Sequence, residues 1–205
     1  MKKRRDRLYP LEAAALLAVC VTLLTGVWAR GRQEALSEKV VRLHVLAASD
    51  SEADQAVKLS VRDAVLEYLG PRLEGAADAA EACARLEAEL PELERLAGAA
   101  GGQQARAVLG RESYPTREYG DFSLPAGTYT SLKIVLGEGR GRNWWCVVYP
   151  PLCAAEAGEL RETAALDGED VRLLTGDGTE YEIRFRLLEW WGELVERWEG
   201  KENAG

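Results

Sequence analysis

The apolar positions of the chain follow three successive patterns. Across residues 11–29 nearly every residue is apolar, and Glu12 carries the only charge. Between residues 49 and 102 the apolar residues recur every three or four positions, which is typical of amphipathic helices. From residue 104 onward they alternate with polar residues, as in strands. This order predicts a single α+β domain, with two helices packed on a mainly antiparallel sheet, behind one N-terminal signal or transmembrane segment.

The first amphipathic helix has the clearest local pattern. We expect it to begin at Ser49, because Ser49 and Glu52 have the spacing of a capping box. We expect it to end at the Gly70-Pro71 pair. Its buried stripe is formed by Val57, Val61, Val65 and Leu69.

A second helix is predicted from Asp78 to the glycine-rich stop at residues 98–102. Glu81 lies three residues after Asp78 and completes a second capping box. Pro91 is expected to kink this helix or to begin a new one.

Strands are predicted at residues 41–46, 104–109, 128–136 and 143–149. The first alternates as a half-buried strand does. The last is apolar on both faces, so we expect it at the centre of the domain and not at an edge. Only six residues, 137–142, separate the last two strands, which predicts that these two strands form an antiparallel hairpin.

The N-terminal 32 residues look like an export signal. The first seven positions contain five basic residues, namely Lys2, Lys3, Arg4, Arg5 and Arg7. Residues 11–29 are nearly long enough to cross a bilayer, and the basic flank is expected to stay in the cytoplasm, which places the rest outside. Val27 and Ala29 also have the spacing of a signal peptidase site. Cleavage and retention as a membrane anchor both remain open.

We expect three regions: the N-terminal segment 1–32, a folded domain 38–153 and an acidic tail 154–205. Within the tail, residues 154–167 are predicted to be a surface helix or loop, residues 180–186 a strand, and residues 187–198 an amphipathic helix. The tryptophans of the last helix suit either core packing or docking on a membrane or partner.

The distribution of charge argues against nucleic-acid binding. The net charge of the whole chain is −8, although the N-terminal segment is strongly basic. The remainder is therefore more acidic than the chain as a whole, and it contains no basic patch with interleaved aromatic residues. We expect no nucleic-acid partner.

Cys146 and Cys153 are the candidate disulfide pair among the four cysteines. Extended chain would hold them about 23 Å apart, so the intervening Pro150 and Pro151 must turn the chain back before a bond can form. Two buried, unpaired thiols are the alternative interpretation.

His44 is the only histidine, and it lies shortly before Ser49 and Asp50. The chain has no G-x-S-x-G motif, and Ser49 is better placed to cap a helix, so we predict no catalytic residue. One histidine and the wide spacing of the cysteines also predict no metal site, and we expect no cofactor.

Three stretches resemble the stage II sporulation protein R family of endospore-forming bacteria. They are residues 42–69 (RLHVLAASDSEADQAVKLSVRDAVLEYL), 114–127 (YPTREYGDFSLPAG) and 137–153 (GEGRGRNWWCVVYPPLC). The chain departs from the family pattern at Leu43, Ala48 and Tyr149. Of these mild changes, only the one at Ala48 puts a polar role in doubt.

The resemblance implies a function as well as a fold. Proteins of this family are exported from the forespore into the intermembrane space. There they trigger a membrane-embedded aspartic protease of the mother cell, which removes the pro-sequence of sigma factor E. No catalytic chemistry is assigned to them.

We therefore expect an exported ligand that binds this protease through an exposed surface. The residues expected on that surface are His44, Ser49, Asp50, Arg140, Arg142 and Asn143. One alternative is an extracytoplasmic hydrolase of cell-wall or peptide material that uses His44 and a carboxylate such as Asp50. Another is a purely structural envelope protein.

Overall fold

The computed structural model describes residues 10–120, 122–152 and 165–175. The predicted strand at 180–186, the predicted helix at 187–198 and most of the acidic tail lie outside the described residues. The described elements are α1 (Pro10–Lys39), β1 (Val41–Leu46), α2 (Glu52–Leu73), α3 (Ala79–Gly101), β2 (Ala105–Tyr114), β3 (Arg117–Tyr119), β4 (Phe122–Leu124), β5 (Gly127–Leu136), β6 (Asn143–Tyr149) and α4 (Gly168–Thr175). The α+β prediction is confirmed.

The main sheet has four strands in the order β2-β5-β1-β6, and β3 pairs with β4 in a separate two-stranded sheet. β2 is antiparallel to β5, β5 is parallel to β1, and β1 is antiparallel to β6. The main sheet is thus mixed but mainly antiparallel, as expected. The helices α2 and α3 pack on one of its faces, where Leu43, Leu132 and Cys146 are buried.

Two predictions about strand order are wrong. β5 and β6 do not form a hairpin, because β1 lies between them and pairs with both. β6 is not central: in the described part of the chain it is one of the two edge strands of the main sheet, and β2 is the other. It is nonetheless largely covered on both faces, since Cys146 and Val148 belong to the helix-side core and Val147 belongs to the core on the other face.

β1 occupies a central position instead, and the prediction that it is only half-buried is wrong. Five of its six residues are buried, including Arg42 and His44. The alternation in the sequence is real, but the polar side of β1 faces a second layer of protein and not solvent. That layer contains the end of α1, the β3–β4 pair and α4.

The helices follow their sequence signals with shifted boundaries. The N-cap of α2 is Ser51, whose side chain accepts a hydrogen bond from the backbone N–H of Asp54, so the prediction that Ser49 caps this helix is wrong. α2 also continues through Pro71 to Leu73. In α3 the predicted cap at Asp78 is confirmed, and the helix runs without interruption through Pro91 to Gly101.

The last third of α1 belongs to the folded domain. Leu36 is fully buried in the second core, by which we mean the apolar cluster on the sheet face away from α2 and α3. The ammonium of Lys39 lies 2.9 Å from a carboxylate oxygen of Asp167 and 2.5 Å from one of Asp170. The portion from Glu12 onward is long and apolar enough to cross a membrane, a property that signal sequences share. Its side chains are exposed where they precede the domain, for example Leu17 and Leu24.

Candidate functional site

A partly buried group of polar residues lies on the sheet face that points away from α2 and α3. Its residues come from all four strands of the main sheet, and alternation along each strand turns them to the same side. They are His44 of β1, Glu112 of β2, Ser131 and Lys133 of β5, and Asn143 of β6. We call this set the polar cluster.

Glu112 is the acceptor at the centre of the polar cluster. Its carboxylate accepts hydrogen bonds from Lys133 Nζ at 3.0 Å, Ser131 Oγ at 3.1 Å and the hydroxyl of Tyr114 at 3.0 Å. Burial raises the pKa of Glu112, but the hydrogen bonds from Lys133 and His44 and the charge of His44 outweigh burial and lower it to about 2. Glu112 is therefore ionised at neutral pH.

His44 bridges Glu112 and Asn143. Its Nδ1 lies 3.0 Å from Oε2 of Glu112, and its Nε2 lies 2.8 Å from Oδ1 of Asn143. The Trp145 ring packs against the imidazole with 5.7 Å between centroids. Both ring nitrogens thus have protein partners, so neither faces an open substrate position. The prediction that His44 lies on an exposed surface is wrong, because only 4% of the residue is accessible.

Residues 137–142, which we call the connecting loop, cross the end of β1. Two strand spacings separate β5 from β6, about 10 Å, a distance that six residues span easily. Backbone N–H groups of Arg140 and Gly141 donate to the carbonyls of Ala48 and Ala47 at 3.1 and 2.9 Å. These bonds replace the hairpin contacts that the sequence predicted.

Two side chains fix the end of the connecting loop. The carboxylate of Asp50 accepts a hydrogen bond from the backbone N–H of Arg142 at 2.7 Å, and Lys58 Nζ donates to the carbonyl of Arg142 at 3.1 Å. Burial lowers the pKa of Lys58, and the nearby charge of Arg142 lowers it further. Gly141 approaches the backbone of Ser49 so closely that a Cβ atom at position 141 would overlap the Ser49 carbonyl group.

The connecting loop presents two cations to solvent. The side chains of Arg140 and Arg142 are 74% and 70% exposed. Arg140 pairs with Glu138, and Arg142 Nε lies 3.7 Å from Oδ1 of Asp50. Ser49 is half-buried beside this loop, where its hydroxyl donates to Asp54.

The six predicted site residues therefore divide into two connected groups. Ser49, Asp50, Arg140 and Arg142 form an outer surface at one end of the sheet. Asn143 is exposed and joins this surface to the buried His44. Asp50 contacts Arg142, whereas the carboxylate that contacts His44 is Glu112, so the structure does not support the pairing of His44 with Asp50 on which the hydrolase hypothesis rested.

Sequence reasoning missed Glu112, Lys133 and Arg42. Each lies on the sheet face that points away from α2 and α3, where the alternating pattern predicts that a charged residue is exposed to solvent. The sequence does show that Arg42 lies on the same side of β1 as His44, and Ser131 on the same side of β5 as Lys133, because the members of each pair are two residues apart. The sequence does not show that these strands are neighbours, so it could not bring the two pairs together.

Cys146 takes part in a disulfide, while Cys20 and Cys83 are free. The other candidate, Cys153, lies outside the described residues, and its pairing with Cys146 stays a prediction. In the described ranges, His, Cys, Asp and Glu side chains form no group of three or more suited to a metal ion.

Together, these features define a class of protein. It is an α+β domain that follows an apolar helix, and its exposed loop with two arginines is fixed by hydrogen bonds and lies next to a partly buried polar cluster. Residues 37–159 match the family model described as stage II sporulation protein R. The chain is also 33% identical to stage II sporulation protein R of Bacillus subtilis (strain 168) over 187 residues, which cover 78% of this chain and 83% of that relative. No solved structure matches the chain. The chain belongs to the stage II sporulation protein R family, whose name denotes a sporulation protein and is not an enzyme name.

Proposed function

We propose that this chain is an exported signalling protein of endospore formation. In this proposal it leaves the forespore, reaches the intermembrane space and activates a membrane-embedded aspartic protease that processes the pro-form of sigma factor E. It acts by binding and not as an enzyme. The family membership supports the role in sporulation, and the connecting loop provides a surface suited to binding.

The position of the connecting loop is the observation that carries this proposal. α1 ends at Lys39, a single residue separates it from β1, and the connecting loop crosses the opposite end of β1. The six residues of β1 separate the two ends by about 20 Å. If α1 anchors the chain, the loop is held on the side of β1 away from the helix junction, where a protein in a facing membrane can reach it.

Three further features support export and binding. The exposed part of α1 suits a signal or membrane anchor. The disulfide at Cys146 is typical of proteins that work outside the cytoplasm. Arg140 and Arg142 offer exposed cations to an acidic partner, and their backbone is already fixed, so little ordering is needed on binding.

Binding activates the protease only if this protein prefers the active arrangement of the protease over the idle one. A surface that is fixed before contact can discriminate between two such arrangements, because it cannot adapt equally to both. Loss of the loop cations is therefore expected to lower affinity for the active arrangement without unfolding the domain.

The test is a reconstitution of the candidate protease with its pro-sigma factor E substrate, with and without the full-length chain. The double variant Arg140→Ala/Arg142→Ala is expected to reduce processing at least tenfold at limiting concentration. The control variant Arg95→Ala/Arg111→Ala removes the same charge from exposed positions on α3 and β2. With this control, processing of the substrate should equal that with wild type. Equal processing by both double variants would remove the loop from the binding surface, and no processing with wild type would refute the proposed function.

A further inference from the structure

Arg42 is a fully buried cation enclosed by aromatic rings. Its accessible fraction is 0%. The guanidinium carbon lies 3.9 Å from the ring centroid of Tyr114, 5.2 Å from that of Tyr129 and 5.8 Å from that of Tyr119. We call these four residues the arginine cage.

The hydrogen bonds of the arginine cage leave most of the guanidinium unpaired. Nη2 of Arg42 donates to the hydroxyl of Tyr119, but Nε and Nη1 have no acceptor among the described residues. The other two tyrosine hydroxyls are engaged elsewhere: Tyr129 donates to the carbonyl of Pro125, and Tyr114 contacts Glu112 and Ser131.

The arginine cage also lacks a counter-ion in the described part of the chain. No carboxylate among residues 10–120, 122–152 and 165–175 lies within ion-pair distance of Arg42. Burial raises the pKa of Tyr129 to about 12 and raises the pKa values of Tyr114 and Tyr119, so these phenols supply no negative charge at neutral pH. Buried charges in proteins are normally paired, and contact with aromatic faces compensates only part of the lost hydration.

A second unpaired donor lies next to the arginine cage. The indole Nε1 of Trp145 is buried without an acceptor in the described ranges, and the Trp145 ring packs on Tyr114 at 5.9 Å between centroids. The guanidinium of Arg117, an exposed residue, lies 4.2 Å from the Trp145 ring centroid. Donors and positive charge therefore gather here, and the described residues supply too few acceptors for them.

We propose that the arginine cage binds a carboxylate group of a protein partner, either a peptide C-terminus or an acidic side chain. One buried guanidinium matches the single charge of a carboxylate, and the tyrosine rings suit the apolar carbon that bears it. A phosphate dianion carries one charge more than the buried guanidinium of Arg42 can neutralise, and Arg117, the other cation here, is exposed. This site is separate from the connecting loop, and it stands or falls independently of the proposed function.

A ligand can reach Arg42 if β3 and β4 move outward. Among the described strands, these two form a ladder with each other and not with the main sheet. They cover the arginine cage through Tyr119, which bonds Arg42 and stacks on Phe122 at 5.4 Å. Displacing them leaves every ladder of the main sheet intact, so opening here requires less free energy than global unfolding.

The test uses the full-length chain in detergent micelles, with the Arg42 Nε–H resonance as the reporter. That resonance is assigned by its absence in Arg42→Lys. Acetate, added at constant ionic strength, is expected to shift the resonance saturably, whereas chloride and phosphate at equal ionic strength should not. Absence of a saturable shift with acetate, or an equal response to phosphate, would overturn the proposal.

Peptides distinguish the two carboxylate sources. One peptide ends in a free carboxylate, its partner is amidated, and a third is amidated but contains an internal glutamate. Binding of only the peptide with the free carboxylate identifies a C-terminus as the ligand, and binding of only the peptide with the internal glutamate identifies an acidic side chain. If none of the three peptides binds, the proposal that the ligand belongs to a protein partner is wrong.

Matched variants locate the binding. Trp145→Phe keeps an aromatic ring but removes the Nε1 donor, and it should weaken carboxylate binding at least threefold in a folded protein. Arg140→Ala/Arg142→Ala should leave carboxylate binding unchanged, because the connecting loop does not line the arginine cage. Loss of binding in the loop variant with retention in Trp145→Phe would place the site elsewhere and refute the assignment.

Discussion

Nε2 of His44 lies 2.8 Å from Oδ1 of Asn143, although 99 residues separate the two in the chain. Asn143 is the first residue after the connecting loop, and His44 lies in a central strand. This contact joins the exposed surface to the polar cluster. We therefore expect a change in the hydrogen bonding of His44 or Glu112 to shift the backbone at the start of β6 and, through it, the connecting loop.

The close approach of Gly141 to Ser49 predicts a position that tolerates no side chain. In Gly141→Ala the new Cβ would lie less than 3.0 Å from the carbonyl group of Ser49, so the backbone of the connecting loop must shift. We expect a loss of about 1 to 3 kcal/mol in the free energy of unfolding, the usual range for overpacking. Urea unfolding of the full-length chain measures it.

Gly110→Ala is the matched control, because a Cβ atom at position 110 would meet no other atom of the described residues within 4 Å. Gly110 lies in β2, where replacing glycine by alanine is neutral or slightly stabilising. Equal stabilities of the two variants would show that the loop does not pack on Ser49 as described.

The low pKa of Glu112 predicts a specific loss of stability in acid. A carboxyl group with a folded-state pKa of about 2 and an ordinary value of 4.5 stabilises the fold above pH 4.5, and the contribution is lost as the pH falls toward 2. Because Glu112 is partly exposed, we discount the full linkage energy to about 1 to 2 kcal/mol. Urea unfolding at pH 5 and at pH 2.5 measures the difference.

Glu112→Gln is the comparison, since it removes the titrating group at nearly constant volume. The variant should be less stable than wild type at pH 5, where Lys133 and His44 lose a charged acceptor. The difference between the two free energies of unfolding should be smaller at pH 2.5. Other acids with lowered pKa values, such as Glu81 and Asp167, titrate in both proteins, so their contributions cancel in this difference. A difference that is the same at both pH values would contradict the prediction.

Two leucines of α1 should behave oppositely. Leu36 is fully buried in the second core, whereas Leu17 is 66% exposed. We expect Leu36→Ala to lower the free energy of unfolding of the domain by about 2 to 5 kcal/mol and Leu17→Ala to change it by less than about 0.5 kcal/mol. Denaturant unfolding in micelles, followed by near-ultraviolet circular dichroism, compares them, and similar losses would show that α1 does not dock on the domain.

Local signals predicted much of the fold. The four-residue repeat that starts at Val57 predicted α2, and Asp78 with the glycines at 98–102 predicted the two ends of α3, because caps and periodicity act within a few residues. The apolar span ahead of Arg30 likewise predicted a signal or anchor segment. The exposure of Arg140 and Arg142 was also predicted from sequence, because clustered glycines and arginines mark an exposed turn.

The order of the strands was decided only in the tertiary structure. Residues 137–142 have the length of a hairpin turn, but β1 pairs with both β5 and β6, and that pairing depends on contacts between residues far apart in the chain. The same long-range packing buried Arg42 and His44, brought Glu112 to His44, and moved β6 to the edge of the main sheet. The sequence by itself determined α2, α3, the four strands of the main sheet and the apolar segment that precedes them, because those depend on neighbouring residues. The short strands β3 and β4, the polar cluster and the arginine cage depend on contacts between distant parts of the chain, so only the tertiary structure decided them.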